Sequence, residues 1–259
     1  MFSQIALRDR AGRRGLYFVR SSGQELLETE LDLARPDLLQ VRYTQDMFAV
    51  YPFLLRPPKR ALLIGLGGGA MVHAIHAYDP GLSLDVVEID PVVVELARRY
   101  FGIQALEQSP QIQVYTMDGF AYLKRELEVR YDIIWMDAFL QPTGDTDSAG
   151  SPLNLKTRDF LRSIVARHLN PHGVIAININ AHAGEHRDFA AVRSALKTSS
   201  IWRVPQTGNY IALGTPRALR ESADELRIRA AQVTRRHASP FRYEVLLERV
   251  LSEVKPRLP

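Results

Sequence analysis

A chain of 259 residues, 46% hydrophobic and 24% charged, has the size and composition of one large soluble α/β domain, or of one domain with a small appendage. It has no cysteine, which excludes disulfides, thiolate metal sites and a cysteine nucleophile, and it has no apolar run of about 18 residues that would span a membrane. The net charge of +4 reads as a solvated arginine surface, so neither nucleic acid nor membrane is expected as a partner, and the start of the chain lacks a signal-peptide pattern.

Residues 15–20 (Gly-Leu-Tyr-Phe-Val-Arg) predict a strand, and residues 25–33 predict another after the turn Ser21, Ser22, Gly23. Residues 1–52 are therefore expected as a small β-rich unit. A helix is predicted over residues 44–55, ended by Pro57 and Pro58.

Residues 53–259 then alternate strand and helix. Strands are expected at 62–64, 84–89, 112–115, 131–136 and 174–179, with helices at 71–78, 91–101, 119–127, 157–169 and 183–198. Such alternation gives a Rossmann-like, doubly wound parallel α/β sheet. Asn170, Pro171, His172 and Gly173 read as the turn that ends the helix over 157–169. Residues 202–204 and 210–213 look like a closing antiparallel pair, and residues 218–254 form a helical tail in two pieces around Ser239 and Pro240.

The strand at 62–64 runs into Gly65, Gly67, Gly68 and Gly69, which let the backbone turn tightly and approach a ligand where a Cβ would collide. Three following strands end in acids. Glu88 lies about twenty residues past the glycines, where a carboxylate can accept from both ribose hydroxyls; Asp90, before Pro91, reads as a helix cap. Asp118, followed by Gly119, can accept the exocyclic amine of an adenine. Asp137 would sit beside a sulfonium, with like-charged neighbours raising its proton affinity. Glycine turn, ribose acid and adenine acid in this order favour an S-adenosyl nucleoside over a dinucleotide, and hence the S-adenosylmethionine-dependent methyltransferase type of sheet.

Other residues carry less. His73 and His76 are three apart on a helix without a third ligand, so no metal is expected, and Ser151 has no nucleophile-elbow context. Among Phe139, Trp202 and Tyr210, Tyr210 is the best pocket candidate. Loop 138–153 has the length of a mobile lid.

Together, Leu63-Ile64-Gly65-Leu66-Gly67-Gly68-Gly69, Val87-Glu88-Ile89-Asp90, Asp118-Gly119, Tyr131-Asp132-Ile133-Ile134 and Asp137 resemble the spermidine synthase family, the polyamine aminopropyltransferases. Gln45-Asp46-Met47 and Thr207-Gly208-Asn209-Tyr210 look like two further family segments. The resemblance implies transfer of an aminopropyl group from decarboxylated S-adenosylmethionine to an amine, in polyamine biosynthesis, by a cytoplasmic homodimer that needs no metal. It implies that Glu88 holds the ribose, Asp118 and Gly119 the adenine, and that Asp137 positions and deprotonates the amine. Gln45 would line the amine pocket, with Tyr43 beside Thr44, which stands at the family's tyrosine.

Two departures matter. Gly68 replaces a loop aspartate that grips the donor's ammonium. The family's Asp-Ser-Ser-Asp-Pro becomes Asp137-Ala138-Phe139-Leu140-Gln141-Pro142, leaving Asp145 or Asp147 as candidates for the second acid. A methyltransferase using S-adenosylmethionine on the same fold, and a non-catalytic nucleoside-binding protein, therefore stand as alternatives.

Overall fold

Three antiparallel strands come first: β1 (Gln4–Arg10), β2 (Arg13–Val19) and β3 (Glu25–Asp32), in that order across the sheet. The computed structural model describes residues 4–20, 22–126, 128–139, 146 and 150–253, without the side chains of Asn154, Leu155 and Glu253. Strand β1 has no counterpart among the expected elements. Its burial is intermediate at Ile5, Ala6 and Leu7 and its other positions are exposed, so the period-two signal of a half-buried strand is faint.

The helix expected over 44–55 is two shorter pieces. Helix α1 (Arg42–Met47) passes into a 3-10 helix, Phe48–Phe53, that contains Pro52. Proline supplies no N–H to a longer α-helical ladder. Every residue of the 3-10 turn is buried. The segment is clamped from two sides: Trp135 Nε1 donates to the Met47 carbonyl (2.9 Å), and Trp202 Nε1 donates to the buried Asp46 carboxylate (2.8 Å).

The large sheet then builds through β4 (Arg60–Ile64), α2 (Ala70–Tyr78), β5 (Ser83–Glu88), α3 (Pro91–Tyr100), the short α4 (Ile103–Leu106), β6 (Ile112–Thr116), α5 (Gly119–Lys124) and β7 (Tyr131–Met136). It closes with α6 (Arg158–Arg167), β8 (Leu169–Asn180), α7 (Glu185–Ala195), β9 (Thr198–Arg203) and β10 (Asn209–Thr215), and the tail forms α8 (Ala223–His237) and α9 (Tyr243–Glu253). Helix α5 ends at Lys124, short of the expected 127; residue 127 lies outside the described residues.

Strand order is β6-β5-β4-β7-β8-β10-β9. The first five run parallel, and β10 pairs antiparallel with both β8 and β9. The chain winds outward from β4 in both directions, so β4 and β7 flank the switch point, outside whose carboxyl ends ligands bind in such sheets. Residues 170–173, expected as a turn, belong instead to an irregular start of β8. Tyr131 pairs with Leu169 but Ile133 with Val174, and Asp132 fills the bulge by accepting from Asn170 Nδ2 (2.8 Å) and the Lys59 N–H (2.8 Å).

Side chains alternate between two apolar layers, as the pleat requires. Leu63, Ile133 and Trp135 face one layer; Leu62, Ile64, Ile134 and Met136 face the other. Leu16, Phe18 and Leu31 of the small sheet join the first layer. No helix among the described residues is long and apolar enough to cross a membrane.

Candidate active site

The turn after β4 depends on its glycines. Gly65 has φ +99°, and a Cβ on it would overlap the backbone carbonyl of Asp137. Gly69, at φ +79°, is the N-cap of α2, a conformation that disfavours other residues. Three backbone bonds stitch the strand ends together here: Gly65 N–H to Val87 O and Asp137 N–H to Ile64 O (both 2.8 Å), and Met117 N–H to Glu88 O (2.9 Å).

Above these ends lies a cavity of about 410 Å³, lined among others by Glu28, Tyr43, Gly65, Glu88, Asp118 and Asp137. Gly67, Gly119 and Phe139 also line it. Among the described residues no lysine, arginine or histidine lines it. A lining with four carboxylates and no cationic side chain among the described residues favours a cationic ligand.

Glu88, at the end of β5, is buried (9% exposed). Its Oε2 accepts the Leu66 N–H of the glycine turn (2.9 Å) and its Oε1 the Asp90 N–H (3.0 Å). Burial raises its proton affinity, with the backbone donors at Asp90, Leu66 and Gly67 acting against it. Asp90 caps α3 by accepting from the Val92 N–H (2.9 Å). Asp118 is also a helix cap, accepting from the N–H groups of Phe120 (3.1 Å) and Ala121 (3.3 Å), while it lines the cavity. One side chain thus orders the third turn and faces the ligand space.

Asp137 follows β7. Its Oδ2 accepts from the Tyr43 hydroxyl (3.1 Å) and its Oδ1 from Asn178 Nδ2 (2.8 Å). Asn178 Oδ1 in turn accepts from Asn209 Nδ2 (2.9 Å), which also donates to Asn180 Oδ1 (2.6 Å). The carboxyl is thereby held in one orientation from two sides. Its pKa is pushed up to about 6, first by burial, then by the charge of Glu88, against the two hydrogen bonds that favour the ionised form. Burial, more than the neighbouring acids, sets this value.

Several expected site residues stand elsewhere. Gln45 does not line the cavity; its Nε2 donates to the Leu39 carbonyl (2.8 Å), which holds the segment leading into α1. Tyr210 is also outside the lining and packs edge-on against Phe189, with centroids 5.1 Å apart. Trp202 is core. Gly68 lies in the turn but does not face the cavity: a Cβ on it would meet the Phe101 ring and Thr29 Cγ2, each at 2.9 Å. His73 bonds the Phe101 carbonyl through Nε2 (2.6 Å). Asp145, Asp147 and most of loop 138–153 lie outside the described residues.

Two site residues went unrecognised in the sequence. Asn178 had a signal, since it interrupts the apolar run of β8 on a strand that needs no polar residue. Glu28 had none, because its position depends on a bulge. Leu16 pairs with Thr29 and Tyr17 with Leu27, which leaves Glu28 as the extra residue of β3 and turns its side chain into the cavity. Its carboxyl is pushed up to about 8 by burial and by the charges of Asp137 and Glu88, with Arg20 opposing.

A doubly wound sheet in this order, with a glycine turn and strand-end acids around one cavity, defines an α/β protein with a sheet of the S-adenosylmethionine-dependent methyltransferase type. The spermine/spermidine synthase domain matches residues 41–208, and the chain belongs to that family. It is 29% identical over 237 residues to the polyamine aminopropyltransferase of Vibrio vulnificus (strain CMCP6), a match covering 87% of this chain and 75% of that one. Other curated relatives match over about half of this chain and less than half of their own length. The fold is shared with a probable spermidine synthase from Corynebacterium glutamicum ATCC 13032 (TM-score 0.68, 18% identity, 99% of this chain and 93% of that one). It is also shared with human methyltransferase-like protein 13 in complex with SAH (TM-score 0.66, 24% identity, 85% and 95%).

Proposed function

We propose that the chain is an aminopropyltransferase that moves an aminopropyl group from decarboxylated S-adenosylmethionine to an amine acceptor. The observation that carries this is Asp137: one carboxylate, fixed by Tyr43 and Asn178, facing the same cavity as the glycine turn and Glu88. In this reading Glu88 receives the ribose hydroxyls, and Asp118 with the small Gly119 receives the adenine. The acceptor's neutral nitrogen attacks the carbon beside the sulfonium. A C–N bond forms, the C–S bond breaks with its electron pair left on sulfur, and a neutral thioether departs. The proton released from the acceptor nitrogen passes to Asp137, which is mostly ionised near pH 7 with a pKa of about 6.

The leaving group is already activated by its charge, so alignment of the amine is the larger contribution, and proton removal adds roughly two to four orders of magnitude. Residues 1–52 act as a cover, contributing Glu28 and Tyr43 over the nucleoside-binding residues 53–259. The cysteine-free composition and the family resemblance support a cytoplasmic homodimer, which sedimentation would test.

One observation favours the second reading, methyl transfer from S-adenosylmethionine: Gly68 puts no carboxylate on the turn to repel the donor's own carboxylate. Incubation with each donor and a panel of diamines, read by mass spectrometry, separates the readings. Methylthioadenosine and an extended polyamine are expected, with Asp137→Asn lowering turnover about 10²- to 10⁴-fold while nucleoside binding stays within a few-fold. A methylated product would establish the second reading; binding without any turnover would establish a nucleoside-binding protein.

A further inference from the structure

The cavity contains a carboxylate that the reaction as drawn leaves without a task. Glu28 accepts no hydrogen bond and makes no ion pair among the described residues, yet it lies close enough to Asp137 and Glu88 for their charges to act on it. A strand residue does not reach this place by regular alternation; the bulge between Leu16 and Tyr17 puts it there. Keeping a fourth carboxyl in a site that already repels negative charge is costly unless a cation is bound.

Thr29 sits directly against the glycine turn: its Oγ1 accepts the Gly68 N–H (2.9 Å), and its side chain occupies the space a Cβ would need on both Gly67 and Gly68. With Phe101 closing the other side of Gly68, a side chain on the turn at that position requires Thr29 or Phe101 to shift. The residue next to Thr29 along β3 is Glu28. The same strand therefore fills the corner with one side chain and supplies a carboxylate to the adjacent cavity with the next.

We infer that Glu28 binds the ammonium of the donor's aminopropyl chain and thereby selects a donor without a carboxylate at that end. The inference rests on the aminopropyl-transfer reading and deepens it by assigning the donor's form to a residue of the small sheet. A bound ammonium restores the ionised form of Glu28, and a carboxylate on the ligand would meet Glu28 and Asp137 together. Arg20 is the cation whose charge acts on Glu28 against those of Asp137 and Glu88, and among the described residues the two make no ion pair.

The test compares ligands that differ only in that chain. Calorimetry with decarboxylated S-adenosylmethionine, S-adenosylmethionine and methylthioadenosine is run on the wild type and on Glu28→Gln. The amide variant is expected to bind the decarboxylated donor about 10- to 100-fold more weakly, the range of a charge-assisted bond. Its affinity for methylthioadenosine, which has no ammonium, is expected to change by less than about threefold. Glu28→Asp keeps the charge and is expected to retain most of the preference, so it reads the same point if the amide variant folds poorly. Equal losses for both ligands, or no loss for the donor, would overturn the assignment of Glu28 while leaving the aminopropyl product of the wild type untouched. A wild type that makes only methylated product would overturn the underlying reading, and the inference with it.

Discussion

The backbone carbonyl of Asp137 occupies the space that a Cβ on Gly65 would fill. Asp137 is thus placed by its main chain before any side-chain contact acts, with its N–H on the Ile64 carbonyl at 2.8 Å. Gly65→Ala combines a positive-φ backbone with this overlap, and strain of that kind costs about 1–3 kcal/mol before the clash is counted. A loss of roughly 3 kcal/mol would lower the melting temperature by about 6–12 °C for a chain of this size. Thermal unfolding checks it, and an unchanged transition would show that the two strand ends are free to separate.

Catalysis is expected to show an acid limb with Asp137 as the proposed base. Its carboxyl must be ionised to accept a proton, so kcat/KM is expected to rise with pH through about 6. Tyr43 donates to Oδ2 and favours the ionised form, so Tyr43→Phe moves the limb to higher pH. A pH–rate profile on both proteins checks this; a limb displaced downward would contradict the assigned hydrogen bond.

The same raised value has a stability consequence of fixed sign. A carboxyl whose affinity for protons is higher in the folded state penalises folding above its ordinary value of 3.8, and the penalty grows until pH passes about 6. Asp137→Asn is therefore expected to melt at a higher temperature than the wild type at pH 7.5, with the gap closing toward pH 4. Melting curves at the two pH values decide it.

Glu88 holds the glycine turn by accepting from two backbone N–H groups, at Leu66 and Asp90. In Glu88→Gln one acceptor becomes a donor facing a donor. Affinity for methylthioadenosine is expected to fall about 100-fold, which corresponds to about 2.7 kcal/mol. The contrast with Glu28→Gln, in which this ligand is spared, separates a nucleoside contact from an ammonium contact in one set of titrations.

Asp46 joins three parts of the molecule, accepting from Trp202 and pairing with Arg249. Asp46→Asn keeps the indole bond and leaves the half-buried Arg249 without its partner. A loss of about 2 kcal/mol is expected from charge-assisted bonding of this kind, read as a lower denaturation midpoint in urea. The helix carrying Tyr43 begins four residues before Asp46, so kcat should fall with stability.

The parallel sheet was legible because its signals are local. Short apolar strands, a proline opening α3, and turns of glycine followed by an acid each state their structure within a few residues. The place of Glu88, Asp118 and Asp137 beside the cavity was legible for the same reason, each standing at or just past the carboxyl end of a parallel strand. What escaped was set by tertiary packing. Gln45 lies within a family-like segment, yet one carbonyl at Leu39 takes its amide away from the cavity. Tyr210 is on a strand beside the site, but the pleat turns it to Phe189. Glu28 belongs to a strand whose pattern reads as regular, and only pairing with β2 reveals the extra residue. The helix expected over 44–55 broke because Pro52 and the all-round burial of Phe48–Phe53 suit a tighter coil.

Thr29 donates no chemistry, but its hydroxyl ties the amide of Gly68 to a strand of the small sheet. Roof and floor of the cavity are thus fastened by one short rivet, so a guest that tightens the turn is expected to still the hairpin above it. Hydrogen–deuterium exchange along β3 should slow in step with occupancy. Substitutions in the hairpin, rather than in the sheet beneath, are expected to change which ligand the cavity admits.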